Sequence, residues 1–139
     1  VSSLTLYNPT TEEPLIEQVE ATLADLDAAV AKAKAAGPGW RAISPADRTR
    51  LMRRFGDLIA ANAQQLGELE TRNMGMTIGN SVWCANAAAD TIHYFAGAIE
   101  KFGGATLPVA NGVNMTFPEP LGVVGLIAPW NFPLAILSA

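Results

Sequence analysis

The residues best suited to chemistry lie in one short loop, Pro129-Trp130-Asn131-Phe132-Pro133, which follows the apolar run Val123 to Ala128. Proline fixes its own φ, so the two prolines restrict the loop on either side of Asn131. An asparagine amide carries two N–H donors without charge or titration, the property wanted opposite a developing oxyanion. The same residue suits the cap of a helix beginning near Pro133, and local physics leaves both roles open. Trp130 reads either as a core anchor or as one wall of a ligand cleft.

Other chemistry-bearing residues carry weaker patterns. Cys84, the single cysteine, stands near the start of an Ala-rich helix with no adjacent Lys or Arg to lower its pKa. A packed, inert thiol is expected there rather than a nucleophile. His93, the single histidine, has no Cys or His partner at ligand spacing, so no metal site is expected. Arg48, Arg50, Arg53 and Arg54 are expected to form the solvated face of a helix rather than an anion site. Gly122-Val123-Val124-Gly125 does not match the Gly-x-Gly-x-x-Gly spacing, so no phosphate cradle is expected there.

The elements that must position the loop fall into three zones. "LTLY" and "PLIEQV" flank the turn-rich "NPTTEE" and predict an opening β-hairpin. A helical zone follows, Thr22 to Gly104. Thr22 is an N-cap candidate with Asp25 three residues on, and Gly37-Pro38-Gly39 is expected to end that helix. Ser44 and Pro45 read as N-cap and first helical residue of the next, whose predicted apolar stripe is Leu51, Phe55, Leu58 and Ile59. "NMGMTIGNS" breaks the pattern before a helix over Val82 to Phe102 that is apolar on several sides. The third zone is β. Asn111-Gly112 predicts a hairpin between short runs, and Pro108, Pro118 and Pro120 mark its strands as edges. Val123 to Ala128 is apolar without alternation, as in a strand of a parallel sheet covered on both faces. Parallel neighbours need long crossovers, so the sequence reads as interrupted in mid-domain.

Composition sets the class. Of 139 residues, 50% are hydrophobic and 16% charged, which suits a globular protein with a core. A formal charge of -4, with no basic stripe, argues against nucleic acid as partner. The lone cysteine, the absence of a signal-peptide profile in "VSSLTLYNPTTEEP" and the absence of a long uncharged apolar run predict a cytoplasmic protein with no membrane span.

One longer pattern stands out. "EPLGVVGLIAPWNFPL", Glu119 to Leu134, closely resembles the segment leading into the cofactor domain of the aldehyde dehydrogenase superfamily. "NPTTEEPL", "WRAISPADRTRLMRRFGDLI" and "YFAGAIEKFGGATLPV" resemble the same family in the same order. The resemblance implies an α/β fold, the N-terminal part of an aldehyde dehydrogenase-like architecture. In it a helical segment packs on a Rossmann-like parallel sheet, with a β-hairpin oligomerisation arm. Residues 1–104 would be the helical part of the cofactor-binding domain and 105–121 the arm. Residues 122–139 would be the first strand and Pro-Trp-Asn-Phe-Pro loop of the NAD(P)-binding domain.

It also implies roles. Asn131 matches the asparagine whose amide, with a backbone N–H of the catalytic cysteine, forms the oxyanion hole. Ile127, Ala128, Pro129 and Trp130 match residues lining the NAD or NADP site near the nicotinamide ribose, and Phe132 matches a position bordering the substrate tunnel. The implied reaction is oxidation of an aldehyde by a cysteine thiolate, a nicotinamide cofactor and a glutamate-activated water, in a homo-oligomeric dimer or tetramer. The family's nucleophile, base glutamate and glycine-containing loop are expected beyond these 139 residues, so the segment alone is expected to be inactive. Glu12 stands where relatives often carry glycine, which bears on the turn type. Two alternatives are a non-enzymatic fragment pairing through its edge strands and a helical interaction module.

Overall fold

A computed structural model describes residues 2–138. The opening hairpin forms as expected: β1 (Ser3–Tyr7) pairs antiparallel with β2 (Pro14–Val19), Leu6 opposite Ile16, with a bulge after Leu6. Its turn is closed by the Asn8 amide donating to Glu13 O at 3.0 Å and the Glu12 amide donating to Asn8 O at 2.8 Å. Glu12 takes φ 61°, the left-handed region that glycine enters at no steric cost. Its place in the chain is therefore a genuine glycine position filled by another residue.

Helix α1 (Leu23–Ala42) starts at Thr22 with a full capping box, the Thr22 hydroxyl accepting from the Asp25 amide and the Asp25 carboxylate accepting from the Thr22 amide. The Thr22 hydroxyl also donates to Asp25 Oδ2 at 2.7 Å, and this bond, with that from the Thr22 amide, holds the Asp25 carboxyl below its ordinary pKa. The expected stop at Gly37-Pro38-Gly39 is corrected: α1 runs through Pro38 to Ala42. An interior proline forfeits one i→i−4 bond and strains the turn before it. The far end is held from outside, where Arg48 donates to Trp40 O and Ile43 O at 3.1 and 3.3 Å and lies 5.4 Å from the Trp40 ring centroid.

Ser44 caps α2 (Pro45–Ala61) by accepting from the Asp47 amide at 3.1 Å, with Pro45 at its first turn. A feature missed in the sequence follows at Asn62, which separates α2 from α3 (Ala63–Met74) while its side chain donates back to Leu58 O at 2.7 Å. Gly75, at φ 80°, ends α3. Helix α4 (Ile78–Ala98) begins and ends four residues earlier than expected.

The core is where α2 and α3 meet α4. Ile59, Ala88, Ala89 and Ile92 form it, flanked by Met52, Leu66 and Leu134. The predicted α2 stripe is corrected by one helical step: Ile59 is buried, but Leu51, Phe55 and Leu58 are exposed, Phe55 by 56%. Met52, Gly56 and Ile59 share the same helical spacing and face α4 instead. Gly56 lies against the His93 ring, where a Cβ would come within 2.8 Å of Nε2, so the missing side chain leaves room for that ring. Gly67 does the same for α3, its missing Cβ falling 2.8 Å from the Val82 backbone nitrogen. Alanine, serine and cysteine on α4 complete the close approach: Ser81, Cys84, Ala85, Ala88, Ala89 and Ala96 are buried.

Beyond α4 the chain opens out. Strands β3 (Thr106–Leu107) and β4 (Asn114–Met115) pair antiparallel as an exposed hairpin. It is shorter than predicted, and Asn111-Gly112 is not a two-residue turn. Residues 108–113 span the strands, and neither Asn111 nor Gly112 has positive φ, as a type I′ turn requires. The expected strand Val123 to Ala128 is also corrected, since it is irregular, bends at Val123 and pairs with neither described sheet. A fully apolar strand needs neighbours on both edges, and neither β1–β2 nor β3–β4 supplies one. Helix α5 (Pro133–Leu137) then packs on α4, Pro133 at its first turn as predicted.

Candidate functional site: the Pro129–Pro133 loop

Asn131 sits in a turn with Trp130, and Phe132 bends the chain into α5. The N-cap of α5 is Phe132, whose side chain has no acceptor, and α5 carries no side-chain cap. The capping role left open for Asn131 is therefore not the one it plays; its amide is exposed. The neighbouring residues form a free apolar surface. Ile127 is 100% exposed, Trp130 78%, Pro129 and Phe132 are also exposed, and Ala128 is half-buried. Trp130 is thus no core anchor. The segment from Gly122 to Phe132 holds no Lys or Arg.

The loop leads directly into α5. Pro133 has no N–H, so Leu134 supplies the first amide of the helix, and it donates to Glu70 Oε1 on α3 at 3.4 Å. Glu70 is only 8% exposed, and its second oxygen, Oε2, has no hydrogen-bond partner among the described residues. Glu70 was not singled out in the sequence, though a signal existed. Ala63, Leu66, Gly67 and Glu70 fall at i, i+3, i+4 and i+7, so a carboxylate occupies a position where the period calls for an apolar residue.

Cys84 is fully buried, its sulfur 4.0 Å from that of Met76. Burial pushes its thiol pKa up, and the negative Glu70 adds to the rise. A nucleophilic thiol needs the opposite, so Cys84 is a packing residue as expected. His93 is half-buried, not enclosed, with Nε2 3.2 Å from Asp57 Oδ1. Of the four arginines, Arg50 pairs with Asp47 and Arg53 and Arg54 are exposed, as a solvated face requires. Arg48 departs from that expectation by holding the end of α1.

No helix among the described residues is long and apolar enough to cross a membrane. Residues 2–139 match the family model described as the aldehyde dehydrogenase family. Among curated proteins, DhaS of Bacillus subtilis is 44% identical over 131 residues, covering 91% of this chain and 26% of that protein. Human aldehyde dehydrogenase 1A1 is 37% identical over 137 residues, covering 95% of this chain and 27% of that protein. Among solved structures, PnpE in complex with nicotinamide adenine dinucleotide superimposes with TM-score 0.92 at 35% identity, covering 99% of this chain and 28% of that one. The chain therefore spans about a quarter of the length of the relatives it matches.

Proposed function

The chain belongs to the aldehyde dehydrogenase family, and on that premise we propose that the full-length protein oxidises an aldehyde to a carboxylate with NAD or NADP. The observation that carries this reading is the presentation of Asn131. Its uncharged amide is exposed, free of the capping role, and held between two prolines at the head of a docked helix. When a cysteine thiolate adds to the aldehyde carbonyl, the oxygen gains negative charge, and the Asn131 amide donates to it. A preformed neutral donor does this without reorganising at the moment of reaction. Hydrolysis of the thioester by a glutamate-activated water passes through a second oxyanion at the same place.

Cys84 cannot be that thiolate, because its buried thiol is harder to ionise than a free one. The nucleophile and the base are therefore assigned to the remainder of the full-length protein, and residues 1–139 alone to an inactive state. The cofactor, when bound, supplies the hydride acceptor. Ile127, Ala128, Pro129 and Trp130 fit its nicotinamide-ribose end, since they offer exposed apolar surface without charge. The same lack of charge, and of a glycine fingerprint, makes them unsuited to its phosphates. Phe132 would border the aldehyde's path.

The assignment of 1–104, 105–121 and 122–139 to helical part, oligomerisation arm and start of the NAD(P)-binding domain belongs to the same reading. The exposed β3–β4 hairpin supports a homo-oligomer, dimer or tetramer, joined through the arm. The free cysteine suits a cytoplasmic setting. The test is the stoichiometry of the full-length protein with an aldehyde and NAD or NADP. One carboxylate formed per nicotinamide reduced is expected, and no reduction with either cofactor across aliphatic and aromatic aldehydes would contradict the reading.

A further inference from the structure

Helix α5 has an unusual start. Its N-cap side chain is a phenyl ring, and its first residue has no amide hydrogen. Among the described residues, the only donor in its first turn with a side-chain acceptor is the Leu134 amide, and that acceptor comes from 64 residues earlier in the chain. A helix this short does not hold itself together, because nucleation is costly. Its placement depends on contacts with its surroundings, which among the described residues include Leu134 against the α2–α4 core and its amide on Glu70.

Burying a carboxylate is expensive unless it accepts hydrogen bonds. Glu70 lies at 8% exposure with one oxygen bonded and the other unpartnered, so it is not explained as a stabilising core residue. A leucine at this position would continue the Ala63–Leu66–Gly67 stripe at lower cost. What the carboxylate adds is a directional contact to one atom, and that atom lies three residues after Asn131, with Pro133 between them.

We propose that Glu70 is a positioning residue for Asn131, holding the first amide of α5 and so setting how the Pro129–Pro133 loop presents the Asn131 side chain. The inference rests on the oxyanion role proposed above. Glu70 touches neither substrate nor cofactor in this account, so it acts only through the loop.

The test is a mutant cycle in the full-length protein, read as kcat and KM for the aldehyde. Glu70→Met keeps length and volume but loses the acceptor. It is expected to lower kcat and kcat/KM together by about tenfold with KM unchanged, as for an interaction felt only in the transition state. Glu70→Gln retains a side-chain carbonyl and is expected to stay within about threefold of the parent. In an Asn131→Ala background, Glu70→Met is expected to cost less than about twofold more, because the group it positions is gone. An undiminished tenfold cost in that background, or a Gln variant no better than Met, would overturn the proposal. Should Glu70→Met fail to fold, Glu70→Asp withdraws the oxygen while keeping the charge, and the same losses and the same non-additivity are expected of it. A large Asn131→Ala effect with a silent Glu70→Met removes this inference alone, whereas a silent Asn131→Ala removes the oxyanion reading as well.

Discussion

Helices α2 to α4 and the segment from residue 105 to 132 are both rich in apolar residues, yet they are covered to very different degrees. In the helices, glycines at 56 and 67 face α4, and alanine, serine and cysteine on α4 let the backbones close in. In the later segment, Leu121, Val124, Leu126 and Ile127 are all exposed, and the β3–β4 pairing covers two residues per strand. Apolar composition states a demand for cover; it does not supply it. Cover comes from small residues at the right period in one region, and in the other it would have to come from partners the described sheets do not provide.

The largest effect is expected in the helices, where the backbones approach closely. Gly67→Ala places a Cβ against the Val82 backbone, which cannot move as a flexible side-chain tip can. Overpacking of this kind costs about 1–3 kcal/mol, and thermal unfolding followed by circular dichroism should show Tm lowered by several degrees. A Tm within about one degree of the parent would mean that α3 and α4 are not in tight contact.

A smaller effect of opposite sign is expected at the opening turn. Glu12 at φ 61° is strained where glycine is not, so Glu12→Gly should stabilise by about 0.5 kcal/mol after the added freedom of the unfolded chain is subtracted. Urea unfolding can measure it, and a destabilisation would show that the Glu12 side chain makes a contact worth more than the strain.

The smallest global effect belongs to the β3–β4 hairpin, although the clash at its base is the most severe. A Cβ on Gly104 would stand 1.6 Å from Thr116 O. A clash cannot cost more than locally unpairing the strands that cause it, and a pairing this short opens easily. Gly104→Ala should leave Tm within about one degree while the Thr116 amide, which donates to Ala105 O at 2.9 Å, loses about tenfold in hydrogen-exchange protection. A Tm loss as large as that of Gly67→Ala would mean that the hairpin and the helices unfold as one unit.

Features set by neighbours in sequence could be read before the structure. The β1–β2 hairpin, the caps at Thr22 and Ser44, the break around Gly75 and the proline start of α5 each depend on a few consecutive residues. Features set by distant contacts could not. Pro38 continues a helix whose end is held by Arg48, and the buried face of α2 is the one that meets α4 across Ile59 and Met52. The site divides in the same way. The Asn131 loop is a local pattern, and a family resemblance pointed to it; Glu70 lies on another helix, and only the fold brings its carboxylate to Leu134.

Asn131 is proposed to stabilise an oxyanion, while Cys84 is a packing residue. Steady-state kinetics of Asn131→Ala in the full-length protein tests the oxyanion role most directly. The account predicts kcat lowered by about 10²–10³, as for the loss of other oxyanion-hole donors. A fall of less than about threefold in a folded variant would contradict it.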